Sequence, residues 1–222
     1  MYGADPGGVA LDVASGCQSD VCSAVLSLCG AQAYAEVMLD RAGDIADIVC
    51  YRDDLNVVEL GTSPVIGLDE EPNTIFIFDG IDDGPDLYGT TTLSQDDVWL
   101  FGNGARVSVL SGGLTILAES ATVRGIRIAG DVTVERDGAN LSLVEIQGDL
   151  FINADDVTLA ESLVRGRVHV NGSRTLLVRN LLGDGSDLSG ESLSCNLNQY
   201  FNDIDLDGAI ENAELGGEVL CR

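Results

Sequence analysis

Residues 113–184 of this 222-residue chain divide into four blocks of eighteen, and no other feature limits the fold as much. The blocks read GLTILAESATVRGIRIAG, DVTVERDGANLSLVEIQG, DLFINADDVTLAESLVRG and RVHVNGSRTLLVRNLLGD. A shorter block, DVWLFGNGARVSVLSG at 97–112, opens the series and matches DVTVERDGANLS over its first twelve positions. The second position of successive blocks is Val98, Leu114, Val132, Leu150 and Val168, and the fourth is Leu100, Ile116, Val134, Ile152 and Val170. The eleventh reads Val107, Val123, Leu141, Leu159 and Leu177, and the sixteenth Ile128, Ile146, Val164 and Leu182. Apolar residues two apart share one face of a strand, so each block supplies about three short strands joined by Gly, Asp and Asn turns. A single block cannot bury its own face. Successive coils must stack about 4.8 Å apart and form ladders with their neighbours. The expected fold class is therefore all-β, a single-stranded parallel β-solenoid with about 18 residues per coil.

The fourteenth column drifts from Ile126 and Val144 to Ser162 and Asn180. An inward polar group needs a partner, so this column is expected to form a hydrogen-bonded ladder; the alternative is that the solenoid opens toward its C-terminal cap. The composition suits such a core: hydrophobic residues are 45% but aromatics only 5%, so the interior is aliphatic, and 27 glycines punctuate it. Phrases such as ATVRGIRIAGDVTV and DVWLFGNGARVSV resemble coils of the right-handed parallel β-helices of the pectate-lyase-like superfamily. The resemblance covers roughly residues 75–184 and is one of fold pattern, not of active site. The coils are shorter than is usual in that family, so a left-handed or bactofilin-like triangular solenoid stays open.

Both ends of a solenoid need covers, because an open end presents unpaired backbone groups. At residues 20–50, Val21, Ala24, Val25, Leu28, Ala33, Val37, Met38, Ile45 and Ile48 recur near helical spacing, which predicts a helical N-terminal cap over 1–52. Its placement resembles the helix that precedes the first coil in many pectate-lyase-like proteins. Residues 53–94 read as a transition with first strands, 95–184 as the coils and 185–222 as a C-terminal cap. Cys17, Cys22, Cys29 and Cys50 lie in the first cap and Cys195 and Cys221 in the second. An even number clustered at both ends fits disulfides in an oxidising compartment, and hence a secreted or cell-surface protein. Cys195–Cys221 is the expected pair; the N-terminal connectivity does not follow from the sequence. No basic stretch followed by an apolar one opens the chain, so an exported form would already have lost its leader.

The sharpest motif is in the C-terminal cap. Residues 203–214, DIDLDGAIENAE, fit D-x-[DN]-x-[DN]-G-x5-E throughout and look like an EF-hand loop. Ca²⁺ takes six to eight hard oxygens. Asp203, Asp205 and Asp207 would supply side-chain oxygens, Ala209 its carbonyl, Glu211 a contact through water and Glu214 a bidentate carboxylate, with Gly208 at the sharp turn. An entering helix is expected around Leu193–Phe201, while Gly216 and Gly217 stop an exiting one. Without a second loop to pair with, a structural Ca²⁺ site with a Kd on the order of 10⁻⁴ M or weaker is expected.

The formal charge is −26 and every basic side chain is Arg. Such a surface repels nucleic acid and anionic membranes, and no apolar run reaches the roughly 18 residues of a membrane span. The pectate-lyase-like family includes lyases with an Arg or Lys base beside bound calcium and hydrolases with clustered Asp. This chain has no Lys, its Arg residues are scattered, and its only adjacent acidic pair within the coils, Asp155-Asp156, falls at a turn. His169 falls at an outward position with no evident partner. The outward third column, read as Trp99, Thr115, Thr133, Phe151 and His169 with Phe101 and Leu117 beside it, is a candidate surface for a carbohydrate or protein ligand, unless the chain's own cap covers it. The expected function is structural, adhesive or ligand-binding, without catalysis. The alternatives are a small polysaccharide lyase or glycoside hydrolase of the β-helix type, and a homo-oligomer that assembles end to end into filaments.

Overall fold

The computed structural model describes residues 8–11, 35–39, 45–50, 56–60, 74–78, 90–102, 104–105, 108–201, 215–219 and 221. Most of these form a parallel β-solenoid of three sheets, and the described residues contain no helix. The first face stacks Asn56–Glu59, Thr74–Phe78, Trp99–Gly102, Thr122–Arg124, Asn140–Ser142, Thr158–Ala160, Leu176–Val178 and Ser194–Asn196. The second stacks Val109–Leu110, Arg127–Ile128, Glu145–Ile146, Leu163–Val164, Leu181–Gly183 and Gln199–Phe201. The third stacks Thr90–Leu93, Gly113–Ile116, Val132–Val134, Leu150–Ile152 and Val168–Val170. One coil visits the third, first and second faces in turn. From Leu114 onward the strand residues pair with those 18 positions later, as in Val132↔Leu150, Leu141↔Leu159 and Ile146↔Val164.

The inward columns are aliphatic and closed to water. Leu114, Val132, Leu150 and Val168 stack in one, Val123, Leu141, Leu159 and Leu177 in another, and all are buried. At about 1.5–3 kcal/mol for each buried Leu, Ile or Val, these columns are the main favourable term in the fold. The fourteenth column is the predicted polar ladder, and it reaches one coil further than the blocks suggested. The Ser162 and Asn180 backbone N–H groups donate to Asn180 Oδ1 and Asn198 Oδ1, each at 2.9 Å. Asn180 Nδ2 donates to the Leu159 carbonyl at 2.8 Å and to Asn198 Oδ1 at 2.9 Å, and Asn198 Nδ2 donates to the Leu177 carbonyl at 2.8 Å.

Two of the three corners turn through a single left-handed residue per coil. Between the third and first faces these are Asp97, Ser120, Gly138, Asp156, Arg174 and Ser192; between the first and second they include Gly125, Leu143, Glu161, Arg179 and Leu197. The nine non-glycine members have φ between 51° and 58°, a conformation that costs an L-residue roughly 1–2 kcal/mol. It persists because the backbone there is held by the next coil: the N–H groups of Ser120, Leu143, Asp156, Glu161, Arg174 and Arg179 each donate to a carbonyl one coil on.

Four sequence expectations change. The block at 97–112 aligns differently: Trp99–Gly102 belongs to the first face, with Leu100 beside Val123, while Thr91 and Leu93 hold the second and fourth columns beside Leu114 and Ile116. The cause is a corner five residues longer, since Leu100 and Leu110 are ten apart where Val123 and Ile128 are five apart. A helix does not run through the end of 20–50, because Ala35–Leu39 and Ile45–Cys50 pair antiparallel, with Gly8–Leu11 on the other side of the first. The β-branched Val37, Ile45, Ile48 and Val49 favour that pairing, and short apolar runs suit either period. Residues 12–34 and the cysteines Cys17, Cys22 and Cys29 lie outside the described residues; Cys50 ends its strand.

The coils also continue past residue 184: Leu177 pairs with Cys195 and Leu182 with Tyr200. Ser194–Asn196 and Gln199–Phe201 are therefore strands where an entering helix was expected, because the inward ladder of Asn198 and the partly buried Cys195 and Tyr200 extend the core. Leu215–Glu218 then crosses the last coil antiparallel, and Cys195 and Cys221 are disulfide-bonded as expected.

Candidate functional site

The outward third column runs Thr92, Thr115, Thr133, Phe151, His169, all half-buried on the third face. Trp99 is not part of it. Its column holds Ile75, Trp99, Thr122 and Asn140 on the first face, and Phe101 stands beside Arg124. Ile75 and Phe101 point out of that sheet yet are 0% and 4% exposed, so the chain itself covers this end of the first face. Leu117, at the edge of the third face, is 43% exposed.

Within the column, Phe151 and His169 stack face to face, with ring centroids 4.9 Å apart and planes 7° from parallel. The stack turns the ring faces toward one another, so it offers the imidazole nitrogens of His169 more than a platform for a flat ligand. His169 has partners that the sequence did not reveal. Its Nε2 lies 4.0 Å from Asp149 Oδ2, and Asp187 follows it in the next coil. The signal was present: Asp149 is two residues before Phe151, hence on the same face.

Rows of carboxylate and amide groups flank the column. Asp131 Oδ1 and Asp149 Oδ1 accept the backbone N–H of Asp149 and Arg167 one coil on, at 2.8 and 2.7 Å. On the other side Asn171 Nδ2 donates to Asn153 Oδ1 and Asn153 Nδ2 to Glu135 Oε1, both at 2.8 Å.

Stacking identical positions about 4.8 Å apart sets like charges against one another at Asp131 and Asp149 and at Asp137 and Asp155, where backbone N–H groups lie between them; elsewhere the coils alternate sign. Residues 113–201 carry seven Arg against twelve Asp and Glu, so only −5 of the total of −26 falls on them. Glu145 lies between Arg127 at 3.3 Å and Arg165 at 3.1 Å, and Arg179 pairs with Glu161. Asp155 and Asp156 form a corner, as expected. Arg174 holds Asp156 at 2.7 Å and Asp155 at 3.3 Å.

The Ser173 backbone and side chain, and then Arg174, keep the Asp155 carboxyl below its ordinary value, while hydrogen bonds from Arg174 do the same for Asp156. Both folded values lie below the unfolded one. The stabilisation from these groups is thus present above the unfolded Asp range near 3.9 and is lost as pH falls through the folded values. Carbon-detected NMR titration should place both carboxyls below ordinary Asp, and Arg174→Ala should raise Asp156 most. An unchanged Asp156 titration in that variant would remove Arg174 as the cause.

The Ca²⁺ ligand set Asp203, Asp205, Asp207, Ala209, Glu211 and Glu214 lies outside the described residues. Its flanks do not. Phe201 and Leu215, which bracket residues 202–214, are partners in the antiparallel pair that closes the second face, and the disulfide lies beyond them. Among the described residues no group of three His, Cys, Asp or Glu could hold a metal ion, and no helix is long and apolar enough to cross a membrane. Compared with protein-family models, with curated proteins and with solved structures, the chain matches none.

Proposed function

We propose that this chain is a secreted or cell-surface Ca²⁺-binding solenoid with a structural or adhesive role, presenting its third face to a carbohydrate or protein ligand. The observation that carries the reading is the constant 18-residue offset from Leu114 to Phe201. It keeps the third face in one continuous register, with Thr115, Thr133, Phe151 and His169 in one row, and an unbroken ladder of this kind is stiff. Asp155 and Asp156, the one adjacent acidic pair within the coils, are held by Arg174, and Glu145 lies between two arginines. Presenting a surface suits this arrangement better than enclosing a substrate.

The direct test is incubation with a panel of neutral and acidic polysaccharides in calcium buffer, followed by sizing of the sugars and a pull-down on the same panel. Retention without shortening, lost in Phe151→Ala/His169→Ala, is the expected result. Shortened products would overturn it in favour of a lyase or hydrolase.

Calcium enters through the chemistry of the donor set. Five carboxylates, one of them acting through water, and a carbonyl in one twelve-residue segment supply the hard oxygens Ca²⁺ requires, and the paired flanks bring the ends of that segment together. Ca²⁺ at about 100 times its Kd adds ~2.7 kcal/mol to a protein that binds it only when folded. That corresponds to a Tm rise of roughly 5–10 °C for a chain of this size. The rise should disappear with chelator and in Asp203→Ala. Identical melts with calcium and with chelator would sink the calcium reading.

A further inference from the structure

The corner between the second and third faces changes in the last coil. In earlier coils the residue that opens the third face donates its backbone N–H to a carboxylate one coil before: Asp149 to Asp131 Oδ1 at 2.8 Å and Arg167 to Asp149 Oδ1 at 2.7 Å. Gly185 stands 18 residues after Arg167. Arginine has no acceptor to offer, so the Gly185 N–H turns elsewhere. It donates at 2.9 Å to Oδ1 of Asp184, the residue directly before it. Both residues are exposed, and Gly185 has a φ of 78°.

That contact sets a nucleophile beside an electrophile. Oδ1 is bonded to Cγ, and reacting atoms about 3–3.5 Å apart are at near-attack separation. Closure of the Gly185 nitrogen on Asp184 Cγ makes a five-membered ring, and glycine, with no Cβ beside that nitrogen, hinders it least. Two other Asp-Gly or Asn-Gly pairs among the described residues are arranged differently. The Gly138 N–H donates to the Asp155 carbonyl at 3.0 Å, while Asp137 Oδ1 accepts the Asp155 N–H at 2.9 Å. The Gly172 N–H donates to the Ile152 carbonyl at 3.1 Å, and Asn171 Nδ2 donates to Asn153 Oδ1 at 2.8 Å. In both pairs a neighbouring coil holds the nitrogen and the side chain, so closing the ring means leaving the ladder.

We infer that Asp184-Gly185 is a modification site, at which the folded protein forms a succinimide spontaneously and converts to isoaspartate. The bond between the Gly185 nitrogen and Asp184 Cγ forms; one carboxyl oxygen, the amide hydrogen and a proton from solvent leave as water. Water then opens the ring. Breaking the new bond restores aspartate, and breaking the original peptide bond to Gly185 leaves isoaspartate, whose backbone runs through Cγ. Isoaspartate thus adds one carbon to the backbone at a corner fixed on both sides. Ser186 Oγ accepts the Val168 N–H and donates to the Gly183 carbonyl, and Asp187 bridges to His169. Conversion therefore acts on the end of the third-face row.

The test is peptide mapping of the full chain after long incubation at mildly acidic pH, folded and in guanidinium chloride. Loss of one water marks the succinimide, and methylation by an isoaspartyl methyltransferase marks the isoaspartate. In the folded protein Asp184 should convert at least about tenfold faster than Asp137, because only Asp184 is positioned for attack. In denaturant, where local sequence alone acts, the two should convert alike and Asn171 should deamidate faster than it does when folded. Asp184→Glu, whose ring would need six members, should leave the site unconverted. Equal rates at Asp184 and Asp137 in the folded protein, or conversion of Asp184 in denaturant only, would overturn the assignment.

Discussion

Asn180→Ala is expected to cost about 3–5 kcal/mol, as much as deleting a large apolar side chain from the core, although it removes only a polar group. Asn180 is fully buried, and its amide serves two directions at once. Oδ1 accepts the Ser162 backbone N–H, while Nδ2 donates to the Leu159 carbonyl and to Asn198 Oδ1. Truncation orphans the Ser162 donor and removes a donor from Leu159, each worth about 1–3 kcal/mol when buried and unpaired, and leaves a cavity as well.

Asn180→Asp separates the two roles. A carboxylate keeps the acceptor for Ser162 but cannot donate to Leu159, and burial raises its pKa above the unfolded value. The protonated form can donate. The variant should therefore gain stability as pH falls through that raised value and lose it as pH rises, the reverse of the behaviour set by Asp155 and Asp156. Denaturant unfolding at several pH values reads both effects. A cost for Asn180→Ala below about 1 kcal/mol would mean that the ladder satisfies its members without contributing to stability.

The ladder also marks where the sequence was legible. Columns such as Val132, Leu150 and Val168, or Leu141, Leu159 and Leu177, identify themselves because an 18-residue offset and a period of two coincide in them. The same arithmetic carried on from Asn180 reaches Asn198, and from Leu182 it reaches Tyr200, so the coil at 185–201 could have been found. Alternation alone does not say which face a strand belongs to. Val98-Trp99-Leu100 reads like Val132-Thr133-Val134, and only the five extra residues after Gly102 put Trp99 on the first face instead of the third.

The left-handed corners were legible only where the residue itself favours a turn, as at Asp156 and Gly138. Leu143, Glu161 and Arg179 have no turn preference, and their conformation is imposed by hydrogen bonds to a coil 18 residues away. The candidate surface was read from the same columns, and four of its members, Thr115, Thr133, Phe151 and His169, stand together in one column. The parity that puts Asp149 on the face of Phe151 and His169 could be read, but the contact itself depends on a side-chain direction that parity does not fix.

The third corner, between the second and third faces, makes the second large prediction. Glycine recurs there at Gly130, Gly148 and Gly166, and none of the three has the positive φ that glycine usually supplies. The need is for space. A Cβ on Gly148 would lie 2.2 Å from Asp131 Oδ1 and 2.7 Å from both the Asp131 nitrogen and the Gly130 carbonyl carbon. On Gly166 it would lie 2.3 Å from Asp149 Oδ1 and 2.4 Å from the Gly148 carbonyl oxygen. The carboxylates could rotate away, but only by giving up the backbone N–H groups of Asp149 and Arg167 that they accept. The backbone atoms cannot retreat, because the ladders on either side fix the coil spacing. Gly148→Val should therefore cost more than about 4 kcal/mol, near the upper limit for single substitutions, and Gly148→Ala somewhat less. Gly217→Ala is the internal control, since its Cβ meets nothing within 4 Å and its melt should match that of the unsubstituted protein. If Gly148→Ala and Gly217→Ala melted alike, the coils would have to be able to part locally at this corner. The stiffness on which the presented face depends would then fail with the prediction.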